Sequence, residues 1–106
     1  MIYTIDQIKT IIEPIAKKYE LKAVYIFGSY ALNKASDDDE VRVLVDMEGS
    51  VIQGELDLGG LYEDLSGYLG KEIELVTWQR LEKEQDGRLM EKIRREAVKI
   101  WGDKVD

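Results

Sequence analysis

The residues best placed for chemistry follow a short apolar run in the first third of the chain. Residues 24–27 are β-prone and end at Gly28, which Ser29 follows directly. Glycine lets the backbone pass close to a ligand, and serine is a favoured helix N-cap. We expect a helix from this pair to about Lys34, whose free N–H groups would suit a phosphate. Gly-Ser pairs are also common in plain turns.

Charged side chains follow on two further predicted strands, over residues 40–47 and 71–78. Because alternate residues of a strand face the same side, each strand has an apolar and a polar face. The first strand places Val41, Val43 and Val45 opposite Glu40, Arg42, Leu44 and Asp46; the second places Ile73 and Leu75 opposite Glu72, Glu74 and Val76. Glu40 and Arg42 therefore share a face, which we expect Glu74 to approach from the neighbouring strand.

These segments resemble the minimal nucleotidyltransferase family, whose pattern is Gly-Ser, ten residues, then Asp-x-Asp on the next strand. Residues 28–31, GSYA, match the start of the pattern, and the apolar residues of VRVLV match the strand. Further along, YLGKEIELVT is similar to the family's LLGRKVDLVT, and KIRREAVKIWG is similar to its ILREAV-type final segment. The resemblance covers nearly the whole chain.

The resemblance implies ATP and Mg²⁺ as cofactors and assigns roles to five residues. Gly28 and Ser29 would hold the triphosphate. Glu40, Arg42 and Glu74 fall on the three catalytic carboxylate positions that hold two Mg²⁺ ions in the family. Of these, Glu40 and Glu74 are the candidate metal ligands.

Arg42 reverses the charge at the central position. A fixed guanidinium repels a metal ion, and each Glu adds a methylene where Mg²⁺ demands near-ideal geometry. One expectation is that Arg42 replaces the metal and bridges Glu40 and Glu74 by charge-assisted hydrogen bonds. The other is an exposed arginine that pairs loosely or not at all.

Two other charged stretches have alternative interpretations. The run from Asp37 to Asp39 mimics the family's Ser-Asp-x-Asp three residues too early, so we predict a solvated loop, with a recruited cation as the alternative. The final segment contains basic residues that form either a solvated face or a phosphate or partner contact. These residues are Arg88, Lys92, Arg94, Arg95 and Lys99.

Composition restricts the function further. The net charge of −7 argues against an extended nucleic-acid surface and fits a basic partner, a metal–nucleotide ligand or ordinary solubility. The absence of Cys and His excludes disulfides and the commonest zinc sites. No apolar run approaches a membrane span and no signal-peptide pattern is present, so we expect a cytoplasmic protein without membrane contact.

The remaining pattern predicts one domain, residues 1–106, of α/β class and α+β type, with the order αβαβαβα. A Thr4–Gln7 capping box begins a helix over residues 5–19, which Pro14 should kink or split. A strand over 21–27 and a helix over 56–69, ended by Gly70, are also expected. Residues 81–85 read as a polar connector, and Asp86 as the cap of a last helix over 87–101. Its buried stripe would be Leu89, Ile93, Ala97 and Ile100. The resemblance implies a small mixed sheet with flanking helices.

Two functions of different class follow from the resemblance. One is an antitoxin-type partner of a HEPN-like protein whose catalysis is eroded at Arg42, acting mainly by binding. The alternative is an active ATP- and Mg²⁺-dependent nucleotidyltransferase that transfers AMP to a protein partner. The sequence is equally consistent with a monomer and a homodimer.

Overall fold

The computed structural model describes residues 1–84 and 87–102, which form a four-stranded sheet with helices on both faces. The elements are α1 (Ile5–Lys18), β1 (Ala23–Phe27), β2 (Val41–Asp46), α2 (Glu55–Leu69), β3 (Ile73–Thr77), α3 (Trp78–Glu82), α4 (Arg88–Glu96) and β4 (Val98–Gly102). None of the described helices has the length and apolar character needed to cross a bilayer.

The sheet is mixed and has the strand order β3-β2-β1-β4. β1 pairs antiparallel with β2 and with β4, whereas β2 and β3 run parallel. The fold class and the mixed sheet expected from the sequence are confirmed. The predicted alternation along β2 is confirmed as well, because Val41, Val43 and Val45 all lie in one hydrophobic cluster.

Each face of the sheet has its own hydrophobic cluster. On the first face, α1 and α2 bury an aliphatic cluster that includes Ile8, Ile12, Leu61 and Leu65. On the second face, a smaller cluster joins the sheet to α3 and α4; it contains Phe27, Leu44, Leu81 and Ile93. β1 is therefore apolar on both faces, as expected for a strand covered on both sides, whereas the second face of β2 carries Arg42 and Asp46 beside Leu44.

The start of α1 forms as its sequence predicts. The Thr4 hydroxyl accepts a hydrogen bond from the Gln7 amide at 3.1 Å, and the Gln7 side chain accepts one from the Thr4 amide at 2.8 Å. The helix continues through Pro14, so the predicted split does not occur. Gly70 ends α2 in the left-handed conformation that glycine favours, with φ of +65°.

The helix predicted from Ser29 to Lys34 is wrong. Residues 29–33 form a hydrogen-bonded turn, in which the Leu32 amide donates to the Gly28 carbonyl at 3.2 Å. Asn33 has a φ of +58°, which is left-handed backbone and ends the helical path after one turn. β1 and β2 are consequently joined as an antiparallel pair without an intervening helix.

The last quarter of the chain also departs from prediction. α3 (Trp78–Glu82) takes the place of the end of the predicted strand at Trp78 and of the first two residues of the connector predicted over 81–85, because the Thr77 hydroxyl caps this helix by accepting from the Arg80 amide at 3.1 Å. The predicted final helix stops at Glu96, and β4 follows. Ala97 is extended (φ −69°, ψ 142°), and the β-prone residues after it pair with the open edge of β1. The observed order is thus αββαβααβ, while the predicted cap at Asp86 lies outside the described residues.

Candidate functional site

The sequence-predicted site residues meet where β1 ends and β2 and β3 begin. In the sheet register, Arg42 of β2 lies opposite Phe27 of β1 on one side and opposite Glu74 of β3 on the other. Gly28 follows Phe27 directly, and Glu40 comes just before β2. Strand pairing therefore places Gly28, Glu40 and Glu74 around Arg42.

The Arg42 guanidinium lies between the two glutamates. Its Nε atom is 3.2 Å from Glu74 Oε2 and 3.6 Å from Glu40 Oε1. The first contact is a close ion pair, while the second exceeds hydrogen-bonding distance and is electrostatic only. All three side chains are about two-fifths exposed, with values of 39, 40 and 43% for Arg42, Glu40 and Glu74. The central position therefore carries a cation that is ion-paired with both neighbours, but the expected bridge of hydrogen bonds to both glutamates is not formed, because the Glu40 contact is too long.

Arg42 also fills the space above Gly28. A Cβ atom added at Gly28 would lie 2.9 Å from Arg42 Cδ, closer than side-chain atoms approach one another. Gly28 has a φ of +78°, in the region that glycine tolerates best. Glycine is thus favoured at this position for two reasons: the backbone has a positive φ, and the aliphatic part of Arg42 occupies the space where a side chain would lie. The open backbone that the resemblance assigns to a triphosphate is covered by a side chain of the chain itself.

A pocket of about 370 Å³ opens beside Arg42. Its lining residues are Ser29, Asp38, Asp39, Glu40, Arg42 and Glu72. Glu74 lies outside it and lines a neighbouring cleft with Arg80. Sequence reasoning did not choose Asp38, Asp39 or Glu72 as site residues. The strand alternation that selects Glu74 also selects Glu72, but the position of the acidic loop depends on the turn geometry.

Local hydrogen bonds fix the part of the acidic loop nearest to Ser29. Asp39 Oδ2 accepts from the Ser36 amide at 3.0 Å. This bond, followed by one with the Ser29 hydroxyl, holds the pKa of the Asp39 carboxyl below its ordinary value. Ser29 therefore already has an anionic neighbour at the position that the resemblance gives to a phosphate.

Asp37 faces away from this pocket. Its side chain pairs with the amino group of Met1, and its carbonyl oxygen accepts from Lys71 Nζ at 2.8 Å. Lys71 Nζ also donates to the Met1 carbonyl at 2.8 Å. The three consecutive aspartates therefore divide, and only Asp38 and Asp39 line the pocket.

The residues present do not fit the family's paired metal ions. Within residues 1–84 and 87–102, no group of three or more carboxylates is arranged to hold a metal ion. At the centre of the three positions that the resemblance assigns to metal-binding carboxylates lies the Arg42 guanidinium, whose positive charge repels Mg²⁺.

Comparison with known proteins identifies the family of this chain. Residues 9–105 match the family model described as polymerase beta, nucleotidyltransferase. The chain belongs to this nucleotidyltransferase family. A protein of Methanocaldococcus jannaschii named "Putative protein adenylyltransferase MJ0435" is 35% identical over 97 residues, which are 91% of this chain and 97% of the relative. A second protein of that organism, "Putative protein adenylyltransferase MJ1379", is 27% identical over 78 residues, 70% of this chain and 78% of the relative.

One solved structure relates this chain to the minimal, or MNT, type of the family. A structure described as a putative minimal nucleotidyltransferase is 26% identical, with a TM-score of 0.66, and the match covers 91% of this chain and 95% of that one. A toxin–antitoxin structure with AMP-PNP has a TM-score of 0.70 at 17% identity, covering 91% and 74%. An MNT antitoxin in complex with a tri-AMPylated HEPN toxin from Shewanella oneidensis has a TM-score of 0.66 at 15% identity, covering 95% and 75%. The last two similarities show the shared fold.

Proposed function

We propose that this MNT-type domain is the antitoxin-type partner of a HEPN-like protein and acts mainly by binding, its nucleotidyl transfer having been lost. The observation that carries the proposal is Arg42 at a metal-carboxylate position, paired with Glu74 and Glu40. The likeness to MNT antitoxins supports the choice of partner. The proposal includes a single functional domain over residues 1–106 and a cytoplasmic location.

The electrostatics of the site support the loss of metal-dependent ATP binding. A triphosphate needs positive charge around it, which two metal ions supply in the reaction. Here the pocket is lined by the carboxylates of Asp38, Asp39, Glu40 and Glu72, with one arginine to offset them. Without bound cations, this lining repels a polyanion. The positive charge of Arg42 in turn repels a metal ion from the space between Glu40 and Glu74.

Calorimetric titration with ATP, with and without Mg²⁺, tests this proposal. We expect the unaltered protein to show no Mg²⁺-dependent binding of ATP. The triple variant Glu40→Asp, Arg42→Asp, Glu74→Asp should gain it, because three short carboxylates then face one another. Arg95→Asp makes the same charge change on the exposed face of α4 and should gain nothing. Mg²⁺-dependent ATP binding by the unaltered protein would contradict the proposed loss.

One observation favours the alternative, an active enzyme that transfers AMP to a protein partner. The relative that is 35% identical carries the name of a protein adenylyltransferase. Incubation with a HEPN-type protein, Mg²⁺ and ATP labelled at the α-phosphate distinguishes the two functions. Label on the HEPN-type protein, unchanged or increased by Arg42→Asp, would support the enzyme. A stable complex without transferred label would support the binding module.

A further inference from the structure

Charge is divided unequally along this chain. Residues 1–77 contain seven basic and fifteen acidic residues, a net charge of −8. Residues 78–106 contain eight basic and seven acidic residues, a net charge of +1. The described residues of this second part form α3, α4 and β4. The first part of the chain is therefore strongly acidic, whereas the second part is close to neutral and carries more than half of the basic side chains.

An apolar pocket of about 160 Å³ opens on the second face of the sheet, beside α3 and α4. It is lined by Tyr25, Leu44, Trp78, Ile93, Arg94 and Ala97. A cavity of about 150 Å³ with apolar walls takes a molecule the size of benzene, so this pocket has room for one branched aliphatic side chain. Arg94 is the charged residue of its lining, and Arg95 continues the exposed basic surface beside it.

The side chain with matching chemistry is Leu56, in the first turn of α2. It is 91% exposed, the highest value among the large hydrophobic residues that the structure describes as exposed. Its chain neighbours, Glu55 and Asp57, are both acidic and exposed. An aliphatic side chain flanked by two carboxylates complements an apolar pocket with an arginine in its lining.

Leu56 cannot reach the pocket of its own chain. α2 packs on the first face of the sheet, whereas Leu44 and Ile93 place the pocket on the second face. Any contact between them must therefore join two molecules. Such a contact produces a closed dimer or ring when its symmetry allows, and otherwise an open chain of copies.

We infer that copies of this chain associate by inserting Leu56 of one copy into the pocket between α3 and α4 of another. Burial of the leucine provides the main attraction, and the charges flanking Leu56 and lining the pocket orient the approach. This interaction goes beyond the proposed function. It uses neither the Arg42 site nor a HEPN-type protein, so its test and the test of that function can fail separately.

Sedimentation equilibrium over a range of protein concentrations tests the inference. The weight-average molar mass of the unaltered protein should rise with protein concentration. Leu56→Ser should weaken the association about tenfold or more, the effect of exposing one leucine side chain. Arg94→Glu should weaken it as well, and Glu55→Lys combined with Arg94→Glu should restore part of the loss.

Two matched variants separate this contact from general surface effects. Tyr68→Ser removes another exposed apolar side chain of α2, 60% exposed, and should leave the association unchanged. Arg95→Glu reverses a charge next to Arg94 but outside the pocket lining, and its effect should be smaller than that of Arg94→Glu. A monomer at every concentration would overturn the inference, as would an association that Leu56→Ser does not weaken.

Discussion

Two charged clusters of this molecule are built differently. Between α1 and α2, the Asp64 carboxylate accepts from Lys18 Nζ at 2.9 Å and from the Tyr19 hydroxyl at 2.7 Å. At the sheet, Arg42 Nε lies 3.2 and 3.6 Å from its two carboxylates. The Lys18 and Tyr19 bonds hold the pKa of the Asp64 carboxyl below its ordinary value. The first cluster joins two helices by hydrogen bonds, whereas the second is held by longer ion-pair contacts between neighbouring strands.

The difference indicates which cluster stabilises the fold and which one determines what the pocket binds. Short hydrogen bonds to a charged group contribute more than exposed ion pairs, whose contribution is about 0–1 kcal/mol. The Asp64 cluster should therefore matter for folding. The Arg42 cluster should matter for what the pocket accepts, except at Gly28, where the backbone itself is constrained.

The largest effect is expected for Gly28→Ala. Its φ of +78° disfavours any side chain, and the added Cβ would displace Arg42 Cδ. We expect the free energy of unfolding to fall by about 2 kcal/mol in chemical denaturation. In an Arg42→Ala background the loss should be smaller, because only the backbone penalty remains. Gly59→Ala is the control: its Cβ meets nothing within 4 Å, so it should stabilise α2 by about 1 kcal/mol. An equal loss in both backgrounds would show that Arg42 does not press on Gly28.

Asp64→Ala should be next, with a loss of about 1.5 kcal/mol, because it removes the shared partner of Lys18 and Tyr19. The neighbouring exposed carboxylate provides the control, since Glu63→Ala should change the free energy of unfolding by less than about 0.5 kcal/mol. Equal losses in the two variants would mean that the cluster adds no specific stability.

The same cluster predicts a pH dependence. The pKa of Asp64 is lowered in the folded state, first by the Lys18 hydrogen bond and then by that of Tyr19. The contribution of Asp64 to the free energy of unfolding is therefore complete above its unfolded-state pKa of about 3.9. This contribution is lost as the pH falls through the lower pKa of the folded state. The stability difference between the unaltered protein and Asp64→Ala should shrink in acid. A difference that stays constant below pH of about 4 would contradict this assignment.

Two tyrosines give a smaller and opposite pair of effects. The Tyr19 hydroxyl donates to Asp64, whereas the Tyr30 hydroxyl is buried without a hydrogen-bond partner in the described residues. Tyr19→Phe should lower the free energy of unfolding by about 1 kcal/mol, and Tyr30→Phe should raise it by a similar amount. Thermal denaturation of both variants measures the pair. A loss in Tyr30→Phe would indicate that its hydroxyl is satisfied.

The smallest effect is expected for Arg42→Gln. Its ion pairs are exposed, so the change in free energy of unfolding should stay within about 0.5 kcal/mol. Chemical denaturation beside Asp64→Ala makes the comparison direct. A loss as large as that of Asp64→Ala would make Arg42 a structural residue and remove the contrast between the two clusters.

The sequence predicted much of the candidate site because its geometry is local to the strands. Alternation along β2 and β3 placed Arg42 on the face of Glu40 and Glu74, and the ion pairs agree with it. The pairing with Glu74 also needed the parallel register of β2 and β3, which only the structure gave, because the resemblance implied no more than a mixed sheet. The acidic loop could not be predicted in the same way. Asp38 and Asp39 reach the pocket through a turn whose path depends on the Ser36 amide and Asn33.

The sequence by itself determined those features that depend on a few neighbouring residues. The Thr4–Gln7 box begins α1, glycine at position 70 ends α2, and the alternation of valines orients β2, since each depends on local hydrogen bonds or periodicity. Only the tertiary structure decided that residues 98–102 form a strand and not the end of a helix. Their helical spacing continues that of α4, but β1 offers an open edge far away in the sequence. Backbone pairing with that edge and burial of Ile100 outweigh a weak local preference.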